Sequence, residues 1–154
     1  MAFTTINDPS AQFQTVLWTG DSADDRSITN TGNANLQPDV VWIKNRNSTQ
    51  NHYLYDSTRG ANVQLLPADS AGETTVADRM QAFQTDGFQV GSSSEVNYNS
   101  YTYIGWQWKA TAGTTASNGN GSITSTVQAN TTAGFSIVKW TGTGSAATIG
   151  HGLG

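Results

Sequence analysis

The chain has 154 residues, no cysteine and a formal net charge of −4, and only 12% of its residues are charged; Thr, Ser, Asn, Gln and Gly dominate instead. That length suits one ordinary globular domain with its own core, and the missing cysteines exclude disulfides and thiolate metal centres. No Lys/Arg run exists to release counterions from phosphates, no apolar stretch approaches the ~18 residues of a membrane span, and MAFTTINDPSAQF lacks the basic and apolar regions of a secretory signal, so neither nucleic acid nor membrane is expected as a partner, and synthesis in the cytoplasm is.

Residues 1–11 carry no sustained alternation and read as an N-terminal arm. From there, β-rich runs bracketed by Gly, Asn, Asp or Pro predict strands over residues 12–19, 27–30, 40–45, 52–56, 62–66, 88–90, 102–109, 122–127, 135–141 and 147–149. In VVWIK, Val41 and Ile43 share one face and Val40 and Trp42 the other, which predicts a central strand. In YTYIGWQWK, Ile104, Trp106 and Trp108 share a face opposite Tyr101 and Tyr103, and this tryptophan row is expected to point inward together with Trp42. The helical candidate is TTVADRMQAF, residues 74–83, where Val76, Met80 and Phe83 recur at near-helical spacing behind Thr74 or Thr75 as N-cap. Many short strands with at most one short helix predict an all-β chain, a two-sheet sandwich of jelly-roll or concanavalin-like type over residues 12–109. Residues 110–133 turn to Ala, Thr, Gly, Ser and Asn, with only Ile123 and Val127 suited to a core, and read as a linker with at most an edge strand.

Residues 134–154 echo the opening strand. Phe13-Gln14-Thr15-Val16-Leu17-Trp18-Thr19-Gly20 and Phe135-Ser136-Ile137-Val138-Lys139-Trp140-Thr141-Gly142 both read F-x-x-V-x-W-T-G, five identities in eight positions at an offset of 122 residues. A one-residue gap then pairs Ile28 with Ile149, and a further loop gap sets Leu36 beside Leu153. The spacing predicts a tandem repeat, with residues 134–154 as the first hairpin of a second copy. Its apolar residues Phe135, Ile137 and Trp140 are expected to find partners in the first domain or in a neighbouring chain.

Five segments carry a resemblance covering nearly the whole chain: LQPDVVWIKNRN, HYLYDSTRG, DGFQVG, YIGWQWKA and GFSIVKWTGTGSAATIGHGLG. Together they resemble a repeated domain of unknown function in structural proteins of tailed bacteriophages, tail-fibre-like proteins of marine phages especially. In that family the GHGLG-type segment looks to be followed by a proline and another V-x-I-K-N-R strand, and MAFTTINDPSAQF resembles a natural start. The resemblance implies the virion-proximal part of a longer tail fibre or appendage, joined to tail or neck components, homo-oligomeric with a trimer favoured, and supporting host adsorption.

Candidate chemistry is thin. Asp21, Asp24 and Asp25 offer oxygens to Ca²⁺ but lack a regular D-x-D-x-D spacing, so a solvated hairpin loop is the expected reading. His52 and His151, the two histidines, have no zinc-ligand pattern around them and read as structural or surface residues. A glycosidase needs two carboxylates across a cleft, whereas Glu73, Glu95, Asp56 and Asp86 form no such pattern, and neither a Ser-His-Asp set nor a phosphate-cradling loop is visible. Enzymatic activity, metals and cofactors are therefore not expected. Arg59 in DSTRG is expected to pair locally with Asp56.

What remains is contact. The arm contributes Phe3 and Ile6, the sheet Tyr53, Tyr98 and Tyr101 as outward aromatics, and the closing segment Phe135 and Trp140. The expected function is a virion structural protein anchoring a phage tail fibre or appendage. A lectin-like module binding host-surface glycan and a capsid decoration protein are the alternatives.

Overall fold

The computed structural model describes residues 6–154, and Phe3 lies outside them. A short 3-10 turn, Pro9–Ala11, is capped by Asp8, whose carboxylate accepts from Ser10 N at 2.9 Å. In chain order the strands are β1 (Phe13–Thr19), β2 (Arg26–Ile28), β3 (Val40–Asn45), β4 (His52–Asp56), β5 (Gly60–Leu65), β6 (Thr74–Thr75), β7 (Met80–Gln84), β8 (Gly87–Val90), β9 (Thr102–Trp108), β10 (Ala116–Asn118), β11 (Ser125–Asn130) and β12 (Phe135–Lys139). They form three antiparallel sheets, of order β1-β9-β3-β4-β5-β6, β2-β8-β7 and β10-β11-β12. The chain is all-β, as its alternation predicts, and β3 lies centrally between β9 and β4.

The main core lies between the first two sheets. Val16, Trp18, Tyr103, Val41, Ile43, Tyr53 and Tyr55 from the six-stranded sheet meet Ile28, Met80, Phe88 and Val90 from the small one, with Val96 between them. Trp18 is the hub: its ring stacks on Tyr103 at 5.3 Å, meets Phe88 edge-on at 5.6 Å, and donates Nε1–H to the Val96 carbonyl at 3.0 Å. Two glycines make room for this arrangement. A Cβ on Gly105 would sit 3.2 Å from the Phe88 ring and 3.3 Å from Trp18, and one on Gly20 would fall 2.0 Å from the Tyr98 carbonyl oxygen.

Three expectations are corrected. Residues 74–83 hold β6 and most of β7 rather than a helix. The helical spacing is produced by a bulge: Met80 pairs Val90 and Phe83 pairs Phe88, so the extra residue on β7 brings side chains three apart onto the face where β8 uses residues two apart. The tryptophan row also points the other way. Alternation on β9 holds, but Tyr103, Gly105 and Gln107 are the buried set and Ile104, Trp106 and Trp108 are only half-buried, because the inner face must accept the Trp18 and Phe88 rings and only the glycine side of β9 leaves them space. On β4 the same parity buries Tyr53 and Tyr55 and turns His52 and Leu54 outward, so Tyr53 is a core residue and not an outward aromatic.

Residues 110–133 carry β10 and β11 and are fastened to the first domain, where composition alone suggests a linker. The buried Asp39 carboxylate accepts from Ala110 N at 2.6 Å, Ala112 N at 3.0 Å, Gly113 N at 2.8 Å and the Ser57 hydroxyl at 2.6 Å. Gln128 continues the seam, donating to Ser57 Oγ and Thr58 Oγ1 at 2.8 Å each and accepting from Gly113 N at 3.1 Å. Asn130 donates to Gln12 Oε1 at 2.6 Å. The strand expected at 147–149 reduces to an isolated parallel bridge between Ile149 and Ile123.

Candidate interaction surface

Because the inner face takes the tyrosines, the outer face of the six-stranded sheet inherits the remaining apolar residues. In register across β1, β9, β3 and β4 stand Phe13, Trp108 and Val40; then Thr15, Trp106, Trp42 and Leu54; then Leu17, Ile104, Lys44 and His52. Leu17 is 60% exposed and Phe13 40% exposed. Cross-strand ring contacts knit the face together: Phe13 lies 5.1 Å from Trp108, and Trp42 meets Trp106 edge-on at 5.9 Å. A recess of about 350 Å³ opens between Trp42, His52, Trp106 and Trp108, almost without polar lining.

His52 is held in this face as an acceptor. Trp42 Nε1 donates to its Nδ1 at 3.0 Å, which assigns the ring proton of the neutral imidazole to Nε2. Lys44 is drawn off the face by three backbone carbonyls, of Asn45, Ser48 and Gln50, at 2.8–3.3 Å. The one cation in these rows is thereby bound to its own loop, and the aromatic rows stay apolar.

The other predicted residues are distributed. Tyr98 is exposed and packs against Tyr101, ring centroids 4.9 Å apart, beside the Gly20 turn and away from the tryptophans. Ile6 is half-buried. Phe135 stacks on Trp108 at 6.2 Å, the contact with the first domain that the sequence anticipates, while Trp140 is exposed. Phe135 thus reaches the outer face, at Trp108. Trp42, Trp106 and Trp108, with Tyr53, are misassigned by sequence reasoning; Gly105, next to Trp106 and on the opposite face of β9, spares its own side of the strand for neighbouring rings and is the signal that could have corrected the tryptophans.

The carboxylates are used internally. Asp56 pairs with Arg59 Nε at 2.6 Å, as DSTRG suggests, and Asp86 accepts from Leu36 N at 3.2 Å. Asp21 accepts from Asn97 Nδ2 at 3.0 Å and from Ala23 N at 2.9 Å, and lies 3.3 Å from Arg26. Among the described residues no three acidic or histidine side chains converge as metal ligands. Arg79 sits 4.7 Å over the Tyr53 ring, bonds Gln64 Oε1 at 2.8 Å and pairs with Glu95 at 2.7 Å. Burial works to raise the Glu95 carboxyl, but the Ser93 and Ser94 hydroxyls and then Arg79 outweigh it and hold it below the ordinary glutamate value. A lowered native pKa stabilises the fold fully above the unfolded value, near 4.3, and that contribution disappears as pH falls through the native one. Urea midpoints of E95Q measured from pH 6 down to pH 3 are accordingly expected to fall less steeply than those of the parent; parallel curves would refute the linkage.

Comparison with known families adds one assignment. A family model described as a domain of unknown function, DUF7483, matches residues 8–154. The chain belongs to the DUF7483 family. The span matched by DUF7483 includes residues 110–133 and the closing segment, in keeping with the fastening of β10–β12 to the first two sheets. No curated protein and no solved structure matches this DUF7483 chain.

Proposed function

We propose that this DUF7483 chain is a non-enzymatic structural module of a bacteriophage tail fibre or similar appendage, a two-sheet sandwich of jelly-roll type that associates with copies of itself through the outer face of its six-stranded sheet. The phage setting rests on the sequence resemblance. Self-association rests on one observation, the apolar outer face of β1, β9 and β3, where Leu17 is 60% exposed and Phe13 40% exposed around the Trp42–Trp106 pair while β12 reaches only the Trp108 end, through Phe135. Faces of this kind mark protein contacts, since aromatic residues at the centre of an interface supply most of its energy.

A glycan-binding reading is favoured by the Trp42, His52, Trp106, Trp108 recess. Against it, the Trp42 and Trp106 planes cross at 61°, which leaves no flat platform for successive sugar rings. Sedimentation of the purified chain over a concentration series tests the first reading. Association is expected, weakened by about tenfold or more in a chain carrying both L17E and W106E, with circular dichroism unchanged. A parent chain that stays monomeric at all concentrations sinks the proposal, and saturable quenching of tryptophan fluorescence by oligosaccharides supports the alternative.

A further inference from the structure

Arg59 is positioned by the turn that DSTRG makes between β4 and β5. One oxygen of the Asp56 carboxylate accepts from Thr58 N at 3.1 Å and Arg59 N at 3.0 Å, and the other accepts from Arg59 Nε at 2.6 Å. The arginine side chain is only 8% exposed, and its Nη1 and Nη2 groups are buried without a hydrogen-bond partner among the described residues. Glu73 stands near, 3.8 Å from Nη1, which is beyond hydrogen-bond reach. Buried N–H groups left unmade are costly, and a fork fixed through Nε alone keeps free the Nη1 and Nη2 edge, which matches a carboxylate.

Arg59 lines a recess of about 260 Å³, walled by Asp56 and Leu65 on the first domain and by Ile137, Lys139 and Trp140 on the closing segment. Lys139 is exposed and has no ion-pair partner among the described residues. Two cations thus meet a single carboxylate, Asp56, in the lining, and the recess is short of one negative charge. Trp140 is 51% exposed, and its indole N–H has no acceptor among the described residues.

On the other side of Lys139 and Trp140 lies a second recess of about 260 Å³, lined otherwise by threonines alone. The Thr58 hydroxyl accepts from Gln128, whereas those of Thr115, Thr124, Thr126 and Thr141 have no partner among the described residues. A buried guanidinium edge, an open indole and a set of hydroxyls therefore follow one another along the surface. That order fits a ligand with a carboxylate on a ring, followed by further hydroxyls. An acidic peptide would satisfy Arg59, but hydroxyls that both donate and accept match the hydroxyls of a sugar better than widely spaced amides.

We propose that the two recesses beside Trp140 form a binding site for an acidic saccharide. The uronate carboxylate lies on Nη1 and Nη2 of Arg59, in place of Glu73 and beside Lys139. Its ring packs on Trp140, and the hydroxyls of the next sugar meet the threonines. Glu73 and Trp140, each about half exposed, are the groups that move as the carboxylate reaches the buried nitrogens. The site shares no residue with the recess at Trp42, Trp106 and Trp108, so it stands or falls independently of self-association.

The test titrates the full chain with trigalacturonic acid, its methyl ester and an oligoglutamate peptide, following the tryptophan indole N–H resonances, with Trp140 assigned through W140F. The trimer is expected to give saturable shifts at Trp140 and none at Trp42 or Trp106, and the ester to bind about tenfold more weakly. R59Q should weaken binding by about tenfold or more. Because R59Q also breaks the pair with Asp56, two further variants keep the test open should it fail to fold. W140A, at an exposed position, is expected to weaken binding about tenfold with the urea midpoint unchanged, and E73Q to strengthen it about threefold by removing the competing carboxylate. The proposal is overturned by an absence of shifts at about 10 mM trimer, by equal affinity for the ester or the peptide, or by shifts centred on Trp42 and Trp106. Weaker binding by E73Q would overturn it as well.

Discussion

Replacing Asp39 by alanine is expected to cost about 3–4 kcal/mol of unfolding free energy, measured by urea denaturation. The carboxylate is fully buried and collects three backbone N–H groups, of Ala110, Ala112 and Gly113, with the Ser57 hydroxyl. Each donor left unmade in a buried place costs about 1–3 kcal/mol, and water entering the space left by the side chain recovers only part of that. The damage should be local at first, because the lost bonds join the six-stranded sheet to residues 110–113. Hydrogen exchange is expected to accelerate in β10–β12 before it does in β3 or β9. D39N, which keeps one carbonyl oxygen, should lose about half as much. A D39A midpoint within experimental error of the parent would show that the fastening does not hold the third sheet.

Replacing Trp18 by alanine should be at least as severe, about 3–5 kcal/mol, because it empties the centre of the core and strands the Val96 carbonyl. The cavity cannot close easily: its walls are Tyr103 and Phe88, and the nearest strand position, Gly105, has no side chain to move in. W18F separates the two contributions, keeping most of the ring packing and losing the hydrogen bond, and is expected to cost about 1–2 kcal/mol. Thermal or urea unfolding of the pair reads this directly. Near-equal losses for W18A and W18F would mean that the hydrogen bond, and not the ring, organises the core.

The strands were legible because this chain marks them with turn residues and strict alternation. β3 and β4 have the bounds read from VVWIKN and HYLYD, and β3 lies centrally as its two apolar faces predict. Period two, however, says which side chains share a face and not which face is inside. On β9 that choice depended on two rings from other strands, Trp18 and Phe88, which lie 87 and 17 residues from Gly105 in sequence. The same limit hid the interaction surface, since a tryptophan is the best core residue and equally the best contact residue. At residues 74–83 the period itself misled, because a bulge reproduces helical spacing over one turn. The fastening of residues 110–133 was illegible for another reason: its bonds run from neutral amides and one aspartate to backbone N–H groups and hydroxyls, and composition does not mark such partners.

The bond from Asn130 to Gln12 joins the residue just before β1 to the last residue of β11, and Phe13 and Phe135 stand on the same Trp108 ring immediately beside it. In a filament pulled along its length, tension entering ahead of β1 and leaving through β12 would meet this short bridge first. The chain between Gln12 and Asn130, which contains the whole main core, forms a closed loop off the line of force. Mechanical load would then be resisted by shearing β12 against its neighbour, and the two sheets that enclose the main core would remain unstretched until that grip fails.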